Sequence, residues 1–503
     1  MFIKLNSAAA LGLDCLPVDV EVDINKGQTA FNIVGLPDTS IHEARDRIHS
    51  ALKNSGFIYP FNFRVLVNLA PADVPKEGTA YDLPMALGII ILSNNLRLNL
   101  AESLFVGELA LDGSLRRTNG ILPLAVFAKQ HGLKKIYIPE MNAPEAALVS
   151  DLEIYPIKNL KQVVQHIVGT QVLNSYQSTP LASDPPITYE LDMAHIKGQE
   201  FAKRALEIAG SGGHNVLMTG PPGSGKTLLA KTFPSILPKL NSEELLEVTK
   251  IYSVAGLLKS NYIKERPFRS PHHTASRTAL VGGGKYPKPG EMSLAHRGVL
   301  FMDEFPEFPR SVLESLRQPL EDGIVTVSRA SGTLTFPARF ILIASQNPCP
   351  CGYNTDPEKV CVCGAAQIVK YRKKISGPLI DRIDIHVEVP RIKFEKLASD
   401  TLAESSEKIR ERVTNAREIQ EQRFKKYKIH SNSEMHNSEV KKFCKLDEQS
   451  IDLLRAAVTQ MHLSARAYNR ILKLSRTIAD LVCSNDIKLE HVAEALQFRV
   501  KTD

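Results

Sequence analysis

The run Gly220-Pro221-Pro222-Gly223-Ser224-Gly225-Lys226-Thr227 follows the apolar block Val216–Thr219 and leads into Leu228-Leu229-Ala230-Lys231. Glycines at these positions let backbone N–H groups turn inward around phosphate oxygens. The start of a helix there adds partial positive charge. Lys226 is spaced to reach the β- and γ-phosphates, and the Thr227 hydroxyl to ligate Mg²⁺. The pattern therefore predicts a nucleoside triphosphate site with Mg²⁺. A second apolar block, Gly298–Met302, ends in Asp303-Glu304. An acid at the C-terminal end of a buried strand sits where nucleotides bind. Asp303 suits the Mg²⁺ shell, and Glu304 suits general-base work on an attacking water. A third block, Phe340–Ser345, runs into Gln346-Asn347, placing the Asn347 amide where it can orient that water or meet the γ-phosphate.

Four of the seven cysteines form two close pairs, Cys349-Pro-Cys351 and Cys361-Val-Cys363. In a reducing compartment such pairs suit tetrahedral Zn²⁺ better than disulfides. A loop of free thiols is the alternative, because one intervening residue strains chelation by both thiolates. Zinc here would brace the strand that ends at Asn347.

These groups need a scaffold. A chain of 503 residues accommodates two to four domains. With 43% apolar and 23% charged residues it has the composition of a globular protein. Its longest apolar stretch, Leu83–Leu92, is too short to cross a bilayer. The N-terminus lacks a basic start followed by an apolar block, so a cytoplasmic location is expected. Residues 1–170 read as an α/β domain. Short β-rich runs (Phe31–Val34, Val65–Leu69, Leu104–Leu109, Lys135–Ile138) alternate there with helical patterns (Ile41–Asn54, Leu83–Leu92, Ile121–His131). Residues 171–190, rich in Ser, Thr and Pro, read as a linker. Residues 191–390 carry the apolar blocks of a parallel sheet buried on both faces, and 391–503 are helical and charged. The net charge of +7 is uneven: residues 1–170 are slightly acidic, whereas 259–297 hold eight Lys/Arg against two acids. A segment of that density points to a polyanion, or else to a solvated surface.

Together these features resemble the AAA+ ATPase core, with Asn347 in the sensor-1 place. Gly377-Pro-Leu-Ile-Asp381-Arg382-Ile-Asp384 resembles the family's arginine-finger segment, which implies that Arg382 stabilises phosphoryl charge on a neighbouring subunit. Ser464-Ala-Arg466-Ala-Tyr-Asn-Arg470 resembles a sensor-2 helix, with Arg466 in that role or Arg470 one turn later. Ile324–Arg329 and Thr333–Phe336 alternate about a turn, which predicts a β-hairpin. The hairpin resembles the one before sensor 1 in Mg-chelatase subunits and MCM helicases, and Arg329 falls where MCM proteins carry a DNA-contacting lysine. Lys285, Tyr286 and Lys288, set among glycines, resemble those families' insert in helix 2. Both inserts face the pore of the ring in those families.

The motifs SPHHTAS, GGGKYPKPGE, LFMDEFPEF, NPCPCG, SGPLIDRID and LSARAYNRILKLSRTIADL resemble the ComM/YifB family along the whole chain. That resemblance implies a hexameric, ATP-driven DNA branch-migration helicase of natural transformation, acting on single-stranded and branched DNA, without a membrane partner. Pro75-Lys-Glu-Gly-Thr-Ala80 and Gly107-Glu-Leu-Ala-Leu-Asp-Gly resemble the Lon protease domain. Ala80 and Leu122 stand where that enzyme has its serine and lysine, so the Ser–Lys chemistry is lost. The expected fold is thus an inactive Lon-like α/β domain, an AAA+ P-loop core with a parallel sheet, and a C-terminal helical lid. Alternatives are a chelatase-type motor remodelling a protein partner for metal insertion, and a nucleotide-gated scaffold with negligible turnover.

Overall fold

The computed structural model describes residues 2–74, 76–177, 188–284, 287–329, 332–392, 402–427, 429–461 and 463–499. The chain forms two compact units. One comprises residues 1–185 together with 242–263, the other 186–241 with 264–503. Among the described residues no helix is long and apolar enough to cross a membrane.

The first unit is built on a seven-stranded mixed sheet. From one edge to the other its strands are Ala30–Val34, Phe63–Ala70, Asp14–Lys26, Phe2–Leu11, Ser103–Phe105, Lys135–Pro139 and Glu153–Ile157. Phe2–Leu11, Asp14–Lys26 and Phe63–Ala70 pair antiparallel, and the remaining neighbours pair parallel. Alternation along Phe63–Ala70 puts Val65, Val67 and Leu69 in the core. The helices Thr39–Asn54 and Asp82–Ser93 contribute Ile41, Ile48, Leu83 and Ile90 to that core. The expected strand Leu104–Leu109 is two strands, Ser103–Phe105 and Glu108–Leu109. Between them Gly107 turns away to bond the backbone of Ala80 and Leu83. A Cβ on Gly107 would lie 2.7 Å from Leu115 Cδ2, so a larger residue here would have to displace that side chain.

Ala80 precedes the helix Asp82–Ser93, and Leu122 is fully buried at the start of the helix Ile121–Gln130. Leu122 N–H donates to buried Glu145 at 2.9 Å. The helix Ser242–Ala255, which follows the P-loop segment in sequence, belongs to this unit. Its Ser253 hydroxyl donates to Glu145, and its Ser253 carbonyl accepts from Gly120 N–H at 3.2 Å.

The second unit holds a five-stranded sheet, parallel throughout. Its order is Phe268–Arg269, Val299–Met302, Ile341–Gln346, Val216–Thr219, Ile385–Glu388. The three central strands are buried almost throughout, as their uninterrupted apolar sequence requires. The hairpin of Ile324–Arg329 with Gly332–Pro337 stands apart as its own two-stranded sheet, as the alternation predicts. The lid contributes Ser406–Phe424, Glu448–Gln460, Ala465–Leu481 and Leu489–Gln497. Its apolar faces join one core with the sheet through Val413, Phe424, Leu454, Ile471, Ile478, Val492 and Phe498.

Candidate nucleotide site

Parallel pairing brings the C-terminal ends of Val216–Thr219, Val299–Met302 and Ile341–Gln346 to one edge, which carries Gly220–Thr227, Asp303-Glu304 and Asn347 together. The strand Ile341–Gln346 lies between the other two, so Asn347 emerges between phosphate loop and carboxylates. The loop is held at its root by Gly220 N–H donating to Gln346 carbonyl at 3.2 Å. A Cβ on Gly220 would stand 2.1 Å from the Val389 carbonyl oxygen, whereas Gly223 and Gly225 face open space with φ of +77° and +93°. Left-handed backbone at these two points turns the loop around a concavity.

Lys226 is 8% exposed. Its Nζ donates to the carbonyls of Gly220 at 2.7 Å and Pro221 at 2.8 Å, and it lies 3.4 Å from Asn347 Oδ1. Burial lowers its pKa to about 8, against a smaller opposing pull from Asp303. Thr227 Oγ1 donates to Asp303 Oδ2 at 2.9 Å, which joins the two groups expected to hold Mg²⁺. Asp303 Oδ1 accepts from the Ser345 hydroxyl and from Glu304 N–H at 3.0 Å. The loop fits a polyphosphate. Ser224 Oγ is buried with no hydrogen-bond partner among the described residues, and the amine that would meet phosphate is held mainly by its own loop's carbonyls, with Asn347 at 3.4 Å. An ATP·Mg²⁺ complex here would be held by Gly220–Thr227 and Asp303.

Glu304 has φ of +53° and a half-exposed side chain. Its carboxylate lies 3.2 Å from His273 Nδ1. The ring of His273 lies 4.1 Å from that of His272, tilted by 33°, and meets Phe308 edge-on. His273 and Ser345 are site residues that sequence reasoning missed. The adjacent histidines after a short strand were the available signal for the first. The second needed the sheet order, which alone puts its hydroxyl on Asp303.

The cysteine loop adjoins this edge. Sγ of Cys349, Cys351, Cys361 and Cys363 all lie within 4.8 Å of one another. The separations are 3.4 Å for Cys349–Cys351, 3.7 Å for Cys349–Cys361 and 3.6 Å for Cys351–Cys361. A tetrahedron with Zn–S bonds of about 2.3 Å has edges of about 3.8 Å, so these sulfurs fit Zn²⁺. All four thiols are free. Gly352, with φ of +87°, packs so that a Cβ would lie 2.6 Å from Pro222 Cδ and 3.8 Å from Asn347. The cluster thus rests on the phosphate loop itself.

The arginines stand elsewhere. Asp384 N–H and Ile385 N–H bond the carbonyl of Asn215, and the Asn215 amide bonds the carbonyl of Arg382. Arg382 is therefore at the entry end of Val216–Thr219, while the phosphate loop leaves the exit end roughly 15 Å away at about 3.3 Å per residue. Arg382 pairs with Glu321 and donates to the Pro378 carbonyl at 2.7 Å, leaving buried Nε without a partner among the described residues. Arg470 is committed internally to Asp384 and to the Arg382 carbonyl at 2.8 Å. Arg466 is 61% exposed and 4.0 Å from Glu321. Arg382, Arg466 and Arg470 line one cleft of about 620 Å³ with Glu321, Glu434 and Lys473. No arginine of this cleft reaches the chain's own phosphate loop.

Of the expected pore residues, Lys288 is exposed on Lys288–Pro289, paired with Gly282–Gly283. A Cβ on Gly282 would meet the Lys288 carbonyl at 2.3 Å, which accounts for the glycine there. Lys285 and Tyr286 lie outside the described residues, as does the side chain of Arg329, whose backbone pairs with Gly332.

A phosphate loop, an acidic strand end and the Asn347 amide on one edge of a parallel sheet, with C-terminal helices sharing its core, match an AAA+ ATPase of the Mg-chelatase type. The family model for magnesium chelatase, subunit ChlI, matches residues 192–397, that for subunit ChlI of Mg-chelatase matches 20–142, and that for the ChlI C-terminal part matches 403–499. Competence protein ComM of Haemophilus influenzae is 44% identical over 500 residues, covering 98% of this chain and 96% of that protein. YifB of Escherichia coli is 41% identical over 499 residues, with the same coverage. DNA replication licensing factor Mcm2 of Drosophila melanogaster is 25% identical over 264 residues, 49% of this chain and 26% of that protein. The chain belongs to the ComM/YifB family of Mg-chelatase-like AAA+ proteins.

Proposed function

We propose that this protein is an ATP-driven DNA translocase that works as a homo-hexamer and promotes branch migration during homologous recombination in natural transformation. The observation that carries the reading is the division of the hydrolytic groups. Lys226, Thr227, Asp303, Glu304 and Asn347 share one edge of the sheet, and Arg382 and Arg466 occupy a cleft at the other end. A complete site then takes the edge of one subunit and the cleft of the next, which is the logic of a ring. Glu304 polarises the attacking water, Asn347 orients it, and Arg382 and Arg466 of the adjacent subunit meet charge developing on the transferred phosphoryl group.

The basic segment 259–297, the relationship to ComM and the similarity to Mcm2 favour DNA as the track. In this reading Lys285, Tyr286, Lys288 and Arg329 face the strand, and the cytoplasm supplies the reducing conditions that four free thiols and a structural Zn²⁺ require. The first unit keeps a Lon-like fold without proteolysis, since neither a hydroxyl nor an amine stands at Ala80 and Leu122. The second reading, a chelatase-type motor acting on a protein, is favoured by the description of the matching family. ATP turnover with and without single-stranded and four-way-junction DNA separates the two: stimulation by DNA supports the translocase, and indifference to it supports the protein-remodelling motor.

A further inference from the structure

One carboxylate in the lid gathers the roots of three catalytic-unit elements. Glu434, in the short turn Asn432–Glu434, is 20% exposed at its side chain. Its Oε2 accepts from Arg339 NH1 at 2.6 Å and from His430 N–H at 3.3 Å, and its Oε1 lies 3.6 Å from Arg297 NH1. Both arginines sit at junctions. Arg339 follows the hairpin strand Gly332–Pro337 and precedes Ile341–Gln346, the strand that ends at Asn347. Its side chain passes across Gly323, where a Cβ would stand 2.6 Å from Arg339 Cγ, and Gly323 opens the other hairpin strand. Arg297, held at φ +58°, precedes Val299–Met302, the strand that ends at Asp303. Arg297 N–H donates to the Arg339 carbonyl at 2.6 Å, so the two junctions are themselves tied. On its other side the turn lines the cleft that holds Arg382, Arg466 and Arg470, and Lys473 of the lid helix donates to the Ser433 carbonyl at 2.8 Å.

We propose that Glu434 is a positioning residue that links the arginine cleft to the root of the Ile324–Pro337 hairpin, so that occupancy of the cleft sets where the hairpin stands. The inference rests on the reading of the cleft as the surface that meets a neighbour's nucleotide. A largely buried carboxylate, hydrogen-bonded to one guanidinium and ion-paired with a second, ties the turn to both strand roots, so that a shift of the turn is passed on to them. A packed, ion-paired root also moves the hairpin as a body rather than letting it flex.

The test uses the full chain, assembled, with and without a slowly hydrolysed ATP analogue, and follows backbone hydrogen exchange of residues 324–337. Wild-type protein is expected to show analogue-dependent protection there. In Glu434→Gln the exchange response of the hairpin should shrink about two- to thirty-fold, the span of measured coupling changes. Protection of the phosphate loop, 219–227, should persist. Arg339→Gln should act alike, and the double variant should be no worse than either single one. A hairpin in Glu434→Gln that responds like wild type overturns the proposal, as does a wild-type hairpin indifferent to the analogue. Loss of phosphate-loop protection in the variant also overturns it, because Glu434 would then hold the fold rather than couple two sites. No DNA enters this measurement. Wild-type ATPase indifferent to DNA, with the hairpin response intact, would remove the translocase reading and leave the coupling standing.

Discussion

In the proposed reading Glu304 accepts a proton and Lys226 binds phosphate, and each role can be tested alone. Glu304→Gln keeps the carbonyl dipole and loses the proton acceptor, so ATP binding should survive while hydrolysis falls about 10²–10⁴-fold, the usual worth of a general base. Single-turnover rates beside nucleotide titrations check this, and near wild-type hydrolysis would remove Glu304 from the role. Lys226 gives a pH prediction. Burial depresses its amine to about 8, and phosphate binds the charged form. Nucleotide affinity should therefore be level below pH 8 and fall above it, at most about tenfold per pH unit, as the free protein loses the proton that binding requires. Titration with a fluorescent nucleotide from pH 7 to 10 measures it; affinity unchanged up to pH 10 would show that the amine stays charged. The phosphate loop and Asp303-Glu304 were legible in the sequence because each is one contiguous run beside a recognisable strand. His273 on Glu304 and Ser345 on Asp303 were not, because those contacts join strands whose order the sequence does not state.

Among elements, the cysteine loop is the one whose fit to the site is most exposed to test. Metal analysis should find about one Zn²⁺ per chain, and replacing Cys349 and Cys361 together with Ser should release it and lower thermal stability. Metal-free wild-type protein of normal stability would support the free-thiol alternative. Gly352→Ala separates metal binding from loop packing. Its Cβ must enter the space of Pro222 from a left-handed backbone, at a cost of about 2–4 kcal/mol from strain and overpacking combined. Nucleotide affinity and melting temperature should drop while zinc content holds; unchanged nucleotide affinity would show that the loop does not brace the phosphate site. Periodicity located the hairpin and the three central strands of the ATPase sheet, since alternation and continuous apolar runs leave distinct traces. It missed Phe2–Leu11 and Asp14–Lys26, where Ser7, Asn6, Pro17 and paired acids blur the alternation. It also could not show that Ser242–Ala255, contiguous with the ATPase sequence, packs in the first unit. That placement rests on Glu145 and Gly120, more than a hundred residues earlier.

For the molecule as a whole, the proposed reading of Arg382, which stands apart from Lys226, would make activity a property of an assembly. Specific ATPase activity should rise with protein concentration across the assembly range. Arg382→Ala and Lys226→Ala chains, each inactive alone, should recover activity when mixed, at interfaces where an intact phosphate loop meets an intact Arg382. Flat specific activity and no recovery would place the arginine's work within one chain. The central claim is that ATP hydrolysis is coupled to a DNA strand held by basic inserts. If Arg329 tracks phosphates as proposed, its contribution would be electrostatic and independent of base sequence. The most direct measurement is ATP turnover by wild-type protein and by Arg329→Ala, each with and without a synthetic four-way junction. The account predicts that the junction stimulates the wild type, and that Arg329→Ala keeps basal turnover and loses the stimulation. A wild type indifferent to the junction, or an Arg329→Ala chain stimulated as fully as wild type, would contradict it.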